Sequence, residues 1–297
     1  MGSKMQLKFW GTRGLISSPH KHTATYGGNT TCMQILNKNQ ILIVDTGFGA
    51  CNLGELLMPR ILNEGANLQI HIFYTHFHWD HIQGLPFFHP IYFESTTINI
   101  YSPLPVEVAH ANLNLLFDGS YSPFAGIDSM ASAISFHQLK NPVLVDGLIV
   151  DSVPLDHGQN SEEGTDTHCF GLSFTDSKGG KIVIATDHEG RPSATNNKLI
   201  EFSKNADILV HDAQYNPEEY KTKVGWGHST FNQALENGKR AAVNKLILTH
   251  HHPSRTDQEI DDTYAGLKND PRFSTLDFEF AKENAVYGLP QKLKKTS

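Results

Sequence analysis

Short runs of β-branched and aromatic residues recur along the chain, at residues 5–10, 31–36, 40–44, 69–75, 97–101, 148–155, 170–175, 181–185, 207–211 and 245–248. Runs of this length, bounded by Gly, Pro, Asn and Asp, predict buried strands. Helical patterns lie between them, over 51–62, 106–117, 198–205, 231–242 and 256–268. Neither a repeat nor a low-complexity linker interrupts the series, which predicts a single domain over 1–297. Two stretches within 84–137 break the pattern. Residues 84–93 are aromatic and proline-broken, and residues 116–137 are rich in Gly, Ser and aromatics. Both predict lid or interface insertions, whose Phe87, Phe88, Tyr121 and Phe124 are candidates for stacking on a base. Residues 275–289 are expected to add a strand or reach a partner subunit.

Composition narrows the class. Hydrophobic residues make up 39% of the 297 and charged residues 19%, the balance of a soluble globular protein. No apolar run approaches the roughly 18 residues that span a bilayer, and residues 1–10 lack the apolar core of a signal peptide. Cys32, Cys51 and Cys169 are odd in number and widely spaced, which fits neither a zinc ribbon nor a disulfide framework. The expected location is therefore cytoplasmic. Acids outnumber bases 31 to 24, for a net charge of −7. The few basic clusters are Lys38, Lys239-Arg240 and the tail at 292–295, which make no stripe for a long nucleic acid. A small anionic partner fits better, with no membrane and no long nucleic acid.

The chemistry concentrates in six residues, His76-Phe77-His78-Trp79-Asp80-His81, directly after the strand at 69–75. Side chains alternate along extended backbone, so His76 and His78 leave on the same side. Two imidazoles can close on one metal while the Asp80 carboxylate and the His81 ring face another. Imidazole and carboxylate are the ligands of zinc and its first-row neighbours. Three more predicted strands run into tips of the same chemistry: Asp156-His157-Gly158, Thr186-Asp187-His188 and Thr249-His250-His251-His252. Such tips gather at one sheet edge in open α/β architectures. In the last tip His250 and His252 compete for one face.

These motifs in this order resemble the metallo-β-lactamase-fold hydrolases, from Phe9 to about Arg255. The segments Phe9-Trp10-Gly11-Thr12-Arg13-Gly14, Gly27-Gly28-Asn29-Thr30-Thr31-Cys32, Val44-Asp45-Thr46-Gly47, Gly227-His228-Ser229-Thr230 and Leu248-Thr249-His250 resemble the phosphodiesterase branch. That branch includes cyclic-nucleotide phosphodiesterases and the tRNA 3′-processing endonuclease. The resemblance implies an α/β fold, a four-layer αββα sandwich. It implies two divalent transition-metal ions, Zn²⁺ first, with Mn²⁺, Fe²⁺ or Co²⁺ able to use the same ligands. His76, His78 and His157 are implied to hold one ion, and Asp80, His81 and His250 the other, with Asp187 bridging. A metal-bridged hydroxide is the implied nucleophile.

Asp80 is implied as both ligand and catalytic carboxylate, and His228 as general acid or phosphate contact. Asp212 either orients a histidine or caps a turn. Asn29 and Thr30 either donate to the substrate or form a tight turn. Arg13 pairs either with phosphate or with a structural carboxylate. Ser229 is placed on the substrate or, with Thr230, at a helix cap. Asp45 is expected to tie loops beneath the metals. The implied activity is hydrolysis of a small phosphodiester, a cyclic nucleotide, by a homodimer. The alternatives are RNA 3′-end processing and a non-catalytic nucleotide-binding member of the fold. The late His250 and the GHST loop count against β-lactam or thioester hydrolysis.

Overall fold

The computed structural model describes residues 5–120, 122–158 and 168–289. Tyr121 and the basic tail lie outside the described residues. The strands are β1 (Gln6–Gly11), β2 (Cys32–Leu36), β3 (Ile41–Val44), β4 (Leu68–Phe73), β5 (Thr96–Ser102), β6 (Ala133–Gln138), β7 (Val143–Val145), β8 (Leu148–Pro154), β9 (Phe170–Thr175), β10 (Lys181–Ala185), β11 (Ile208–Asp212), β12 (Leu246–Thr249), β13 (Phe278–Phe280) and β14 (Val286–Gly288). They form two seven-stranded mixed sheets, ordered β14-β1-β2-β3-β4-β5-β6 and β13-β12-β11-β10-β9-β8-β7. The helices are α1 (Gly49–Leu62), α2 (Trp79–Ile82), α3 (Val106–Asn114), α4 (Ala194–Phe202), α5 (Pro217–Tyr220), α6 (Phe231–Arg240) and α7 (Asp257–Lys268).

Strand alternation builds the layers. In β3, Leu42 and Val44 point into a core between the sheets, beside Phe73, Phe174, Ile184 and Val210. Ile41 and Ile43 point outward to Leu53 and Leu57 of α1. On the other sheet, Val183, Leu209 and Leu246 face outward against Leu199 of α4, Leu235 of α6 and Ile260 of α7. Strands buried on both faces need apolar residues at every position, and β3 is buried throughout. The result is the αββα sandwich. Thr230 caps α6 and Thr256 caps α7, each in a reciprocal capping box.

The irregular stretches are packed more tightly than expected of lids. Leu85, Phe88 and Ile91 are fully buried in the core under α1. Residues 116–137 contribute buried Phe117 and Ile127, then run into β6, which pairs in parallel with β5. Of the expected stacking aromatics, Phe88 is core and Phe124 packs on Tyr92 and Phe117, while Phe87 is exposed. Residues 275–289 supply β13 to one sheet and β14 to the other, each as an edge strand.

Candidate metal centre

The tips of β3, β4, β8, β10, β11 and β12 deliver polar side chains to one edge of the sandwich. His76, His78, His157 and Asp187 offer ligand atoms that all lie within 4.8 Å of one another, and so do Asp80, His81 and His250. Asp187 stands between the groups. Its Oδ2 lies 3.8 Å from His76 Nε2 and 3.6 Å from His157 Nε2. Its Oδ1 lies 3.1 Å from His81 Nε2 and 3.2 Å from His250 Nε2. Of the three consecutive histidines, His250 alone is aimed at the cluster. His251 bonds the Ala281 carbonyl and His252 bonds Ser254.

Four of the five rings, all but His78, are aimed by a partner on the far nitrogen. His81 Nδ1 donates to Asp45 Oδ2 over 2.8 Å, His157 Nδ1 to the Gly227 carbonyl over 2.9 Å, and His250 Nδ1 to Gln214 Oε1 over 2.9 Å. His76 Nδ1 lies 3.1 Å from Thr75 Oγ1, whose own hydroxyl donates to Asp45 Oδ2 at 2.8 Å. The Nε2 atoms of these rings are thereby turned toward the cluster, as ligating histidines require; that of His157 lies 2.9 Å from His78 Nδ1 and that of His250 lies 3.2 Å from Asp80 Oδ2. Backbone space is tight here: a Cβ at Gly14 would lie 2.2 Å from His250 Cε1. Asp45, Asp187 and His250 all adopt left-handed backbone, with φ of 58°, 58° and 63°. Asp and His enter this region more readily than most residues, still at about 1–3 kcal/mol each.

The electrostatics of the two groups differ. Burial holds His76 well below its ordinary pKa and brings His157 down to about 4, so these rings are neutral. Burial also opposes charge on His250, but Asp187, Asp80 and Asp212 outweigh it and raise its pKa to about 9. His81 is raised in the same way by Asp187, Asp80 and Asp45. Burial likewise resists charge on Asp80 and Asp187, yet the facing histidines hold both carboxyls below their usual range. The donor set fits two divalent ions. The Nε2 atoms of His76 and His81 are buried without a hydrogen-bond partner, and the neighbouring carboxylate oxygens are not aligned to supply one.

Beside both groups stands His228. Its Nδ1 donates to Asp212 Oδ2 over 2.7 Å, and its ring lies 4.9 Å from that of His250 and 5.1 Å from that of His157. The expected substrate contacts are placed elsewhere. Arg13 is fully buried and donates to the carbonyls of Gly27, His252 and Arg255. Asn29 is held by Glu283, and Thr30 Oγ1 accepts from the Phe48 amide and from Gln83. Ser229 donates to the His188 carbonyl and accepts from the Gly190 amide. These four side chains support the edge from beneath, because the turns they sit in need their polar groups internally. Sequence reasoning missed Gln214 and Glu189, which carry no motif and act only across distant strands.

The sequence model of the β-lactamase superfamily domain matches residues 40–251. Ribonuclease Z of Lactococcus lactis subsp. lactis (strain IL1403) is 27% identical over 292 residues, covering 83% of this chain and 88% of that protein. Human tRNase Z, short form, superposes with a TM-score of 0.64 at 19% identity, covering 96% of this chain and 99% of that one. Unliganded yeast PDE1 also gives 0.64, at 15% identity, covering 97% and 100%. The chain belongs to the β-lactamase superfamily domain family and is a metal-dependent, phosphodiesterase-like hydrolase of the metallo-β-lactamase fold.

Proposed function

We propose that the protein hydrolyses a small phosphodiester, a cyclic nucleotide, to a linear monophosphate. The observation that carries the chemistry is the His228–Asp212 pair placed against both ligand groups. His76, His78 and His157 would hold one divalent ion, and Asp80, His81 and His250 the other, with Asp187 shared. When bound, such ions lower the pKa of a water from about 15.7 toward about 7 and offset charge on the phosphoryl oxygens. Alkoxide is a poor leaving group and needs a proton as the P–O bond breaks. Asp212 fixes the His228 tautomer through Nδ1, which leaves Nε2 to carry that proton. Zn²⁺ is the proposed ion on the nitrogen-rich ligand set.

Two features favour a small substrate. The chain is acidic, at −7, and lacks a basic stripe. Phe48 and Phe87 stack with ring centroids 6.1 Å apart, and both are exposed. The turn that bears Phe48 touches the Asp80 backbone, since a Cβ at Gly47 would meet the Asp80 carbonyl at 2.3 Å. A base can stack there without sequence readout. The reading includes a homodimer, supported by the exposed Leu15 and Ile16 beside the site, and a cytoplasmic location, supported by three unpaired cysteines. A second reading, RNA 3′-end processing, is favoured by the name of the Ribonuclease Z relatives.

A hydrolysis screen with metal-loaded protein separates these readings. It compares cyclic mononucleotides, cyclic dinucleotides, bis-p-nitrophenyl phosphate, a pre-tRNA and a β-lactam. Turnover of cyclic nucleotides with broad base preference is expected. Efficient pre-tRNA cleavage with negligible cyclic-nucleotide turnover replaces this reading with RNA processing. Nucleotide binding without turnover of any substrate identifies a non-catalytic member.

A further inference from the structure

Glu189 lies two residues beyond Asp187 and is fully buried. Its three side-chain partners are all donors. The Tyr220 hydroxyl and the Gly225 amide, at 2.9 Å, bond Oε1, and the Gly227 amide bonds Oε2 at 3.1 Å. Its own amide donates to the Asp156 carbonyl at 2.7 Å. One residue therefore joins the tip after β10, the tip after β8 and the loop at 221–227. Gly225 and Gly227 are left-handed, with φ of 85° and 83°, and both amides end on the same carboxylate. A Cβ at Gly227 would lie 2.5 Å from His157 Nδ1, so this backbone presses on the ring it bonds. The next residue is His228.

We infer that Glu189 is a positioning residue. It clamps the loop so that the Gly227 carbonyl aims His157 and so that His228 arrives beside Asp212. No proton passes through it. The inference rests on the reading of His228 as proton donor, and its structural half is measurable without that reading.

The test is Glu189→Gln in the full chain. Glutamine cannot accept hydrogen bonds at both ends, because its amide nitrogen donates. One end then faces a backbone N–H or the Tyr220 hydroxyl without a bond. Amide exchange at Gly225 and Gly227 is expected to speed up by about 10-fold or more. The kcat on a diester with an alkoxide leaving group should fall by about 10-fold or more, with a smaller loss on bis-p-nitrophenyl phosphate. In a His228→Ala background, compared at equal metal content so that the His157 half of the clamp is held fixed, the same substitution should add little further loss. Unchanged exchange overturns the clamp. Faster exchange with equal losses on both substrates, additive with His228→Ala, reduces Glu189 to general stability and also overturns it. If His228→Ala itself shows no leaving-group dependence, the proton-donor reading fails, and exchange still decides the clamp. Tyr220→Phe removes one of the three bonds at a partly exposed ring and keeps the falsification open if Glu189→Gln does not fold. It should show the same pattern in weaker form, and normal exchange at both glycines in that variant also counts against the clamp.

Discussion

Asp45 is linked to His81 directly and to His76 through Thr75, so one buried carboxylate steadies a histidine of each ligand group. Its two oxygens take the His81 ring, the Thr75 hydroxyl and the Thr75 amide. Asp45→Ala should therefore weaken binding at both ions. Metal affinity is expected to fall by about 10–100-fold, as for other partners of ligating histidines. Competitive chelator titration measures this. An unchanged affinity for either ion would show that the Asp45 link to that ligand group has no energetic weight.

His228→Ala should leave the metal content unchanged, because His76, His78 and His157, with Asp80, His81 and His250 and the shared Asp187, supply both ligand groups without it. Turnover of a cyclic nucleotide is expected to drop by roughly 10²–10⁴. A p-nitrophenyl ester should suffer less, since its leaving group needs little protonation. Equal losses on both substrates would recast His228 as a phosphate clamp. Loss of metal in the variant would make it a ligand.

Loading the two groups should differ in proton balance. His157 is held down at about 4, and His76 is also lowered, so the first group binds metal without releasing protons near neutral pH. His250, raised to about 9, must lose a proton before it can ligate, as must His81. Calorimetry at pH 7 in buffers of different ionisation enthalpy is expected to report about one to two protons released for the second ion. The sign for stability follows from the same shift. His250 contributes to metal-free stability fully below its ordinary pKa of 6.5, and this is lost as pH rises through about 9. Chelated protein should thus melt at lower temperature at pH 9.5 than at pH 6.5, with a smaller drop in His250→Gln. A proton count near zero for the second ion at pH 7 would remove His250 from the second group.

Arg13→Ala should cost stability rather than substrate affinity. The guanidinium bonds three backbone carbonyls from two distant segments. Its removal leaves those acceptors buried, at about 2–4 kcal/mol in all. Arg13→Lys should not restore it, because one ammonium cannot reach three carbonyls in that fork. Thermal melts and KM together decide. A raised KM at unchanged melting temperature would return Arg13 to the substrate.

Most of the longer strands and the five longer helices were legible because their apolar runs are unbroken, whereas α2 and α5, of four residues each, were not assigned. β6 and β7 were not assigned as strands, and residues 275–289 were expected to add one strand where they supply two: β7, β13 and β14 have three residues each, and β6 is largely exposed, so periodicity had little to work on. The ligand tips were legible for a chemical reason, since four donors fall in the six residues from His76 to His81. Arg13, Asn29, Thr30 and Ser229 were legible as motif members only. A motif marks where a turn must be kept, and says nothing of whether a side chain looks outward to a ligand or inward to a carbonyl. Gln214 and Glu189 act through contacts that exist only once separate strands are side by side.

The left-handed backbone at Asp45, Asp187 and His250 has a consequence for how this scaffold drifts. Among residues with a side chain, Asn, Asp and His enter that conformation most readily, and Gly does so freely. The backbone therefore admits nearly the same short alphabet that the chemistry demands. A lineage released from selection for turnover would be steered at these tips toward Asn and Gly, which keep the turn and abandon the ligand. Inactive descendants of this chain should thus be recognisable by intact sheets whose tips read Asn or Gly where this one reads Asp or His.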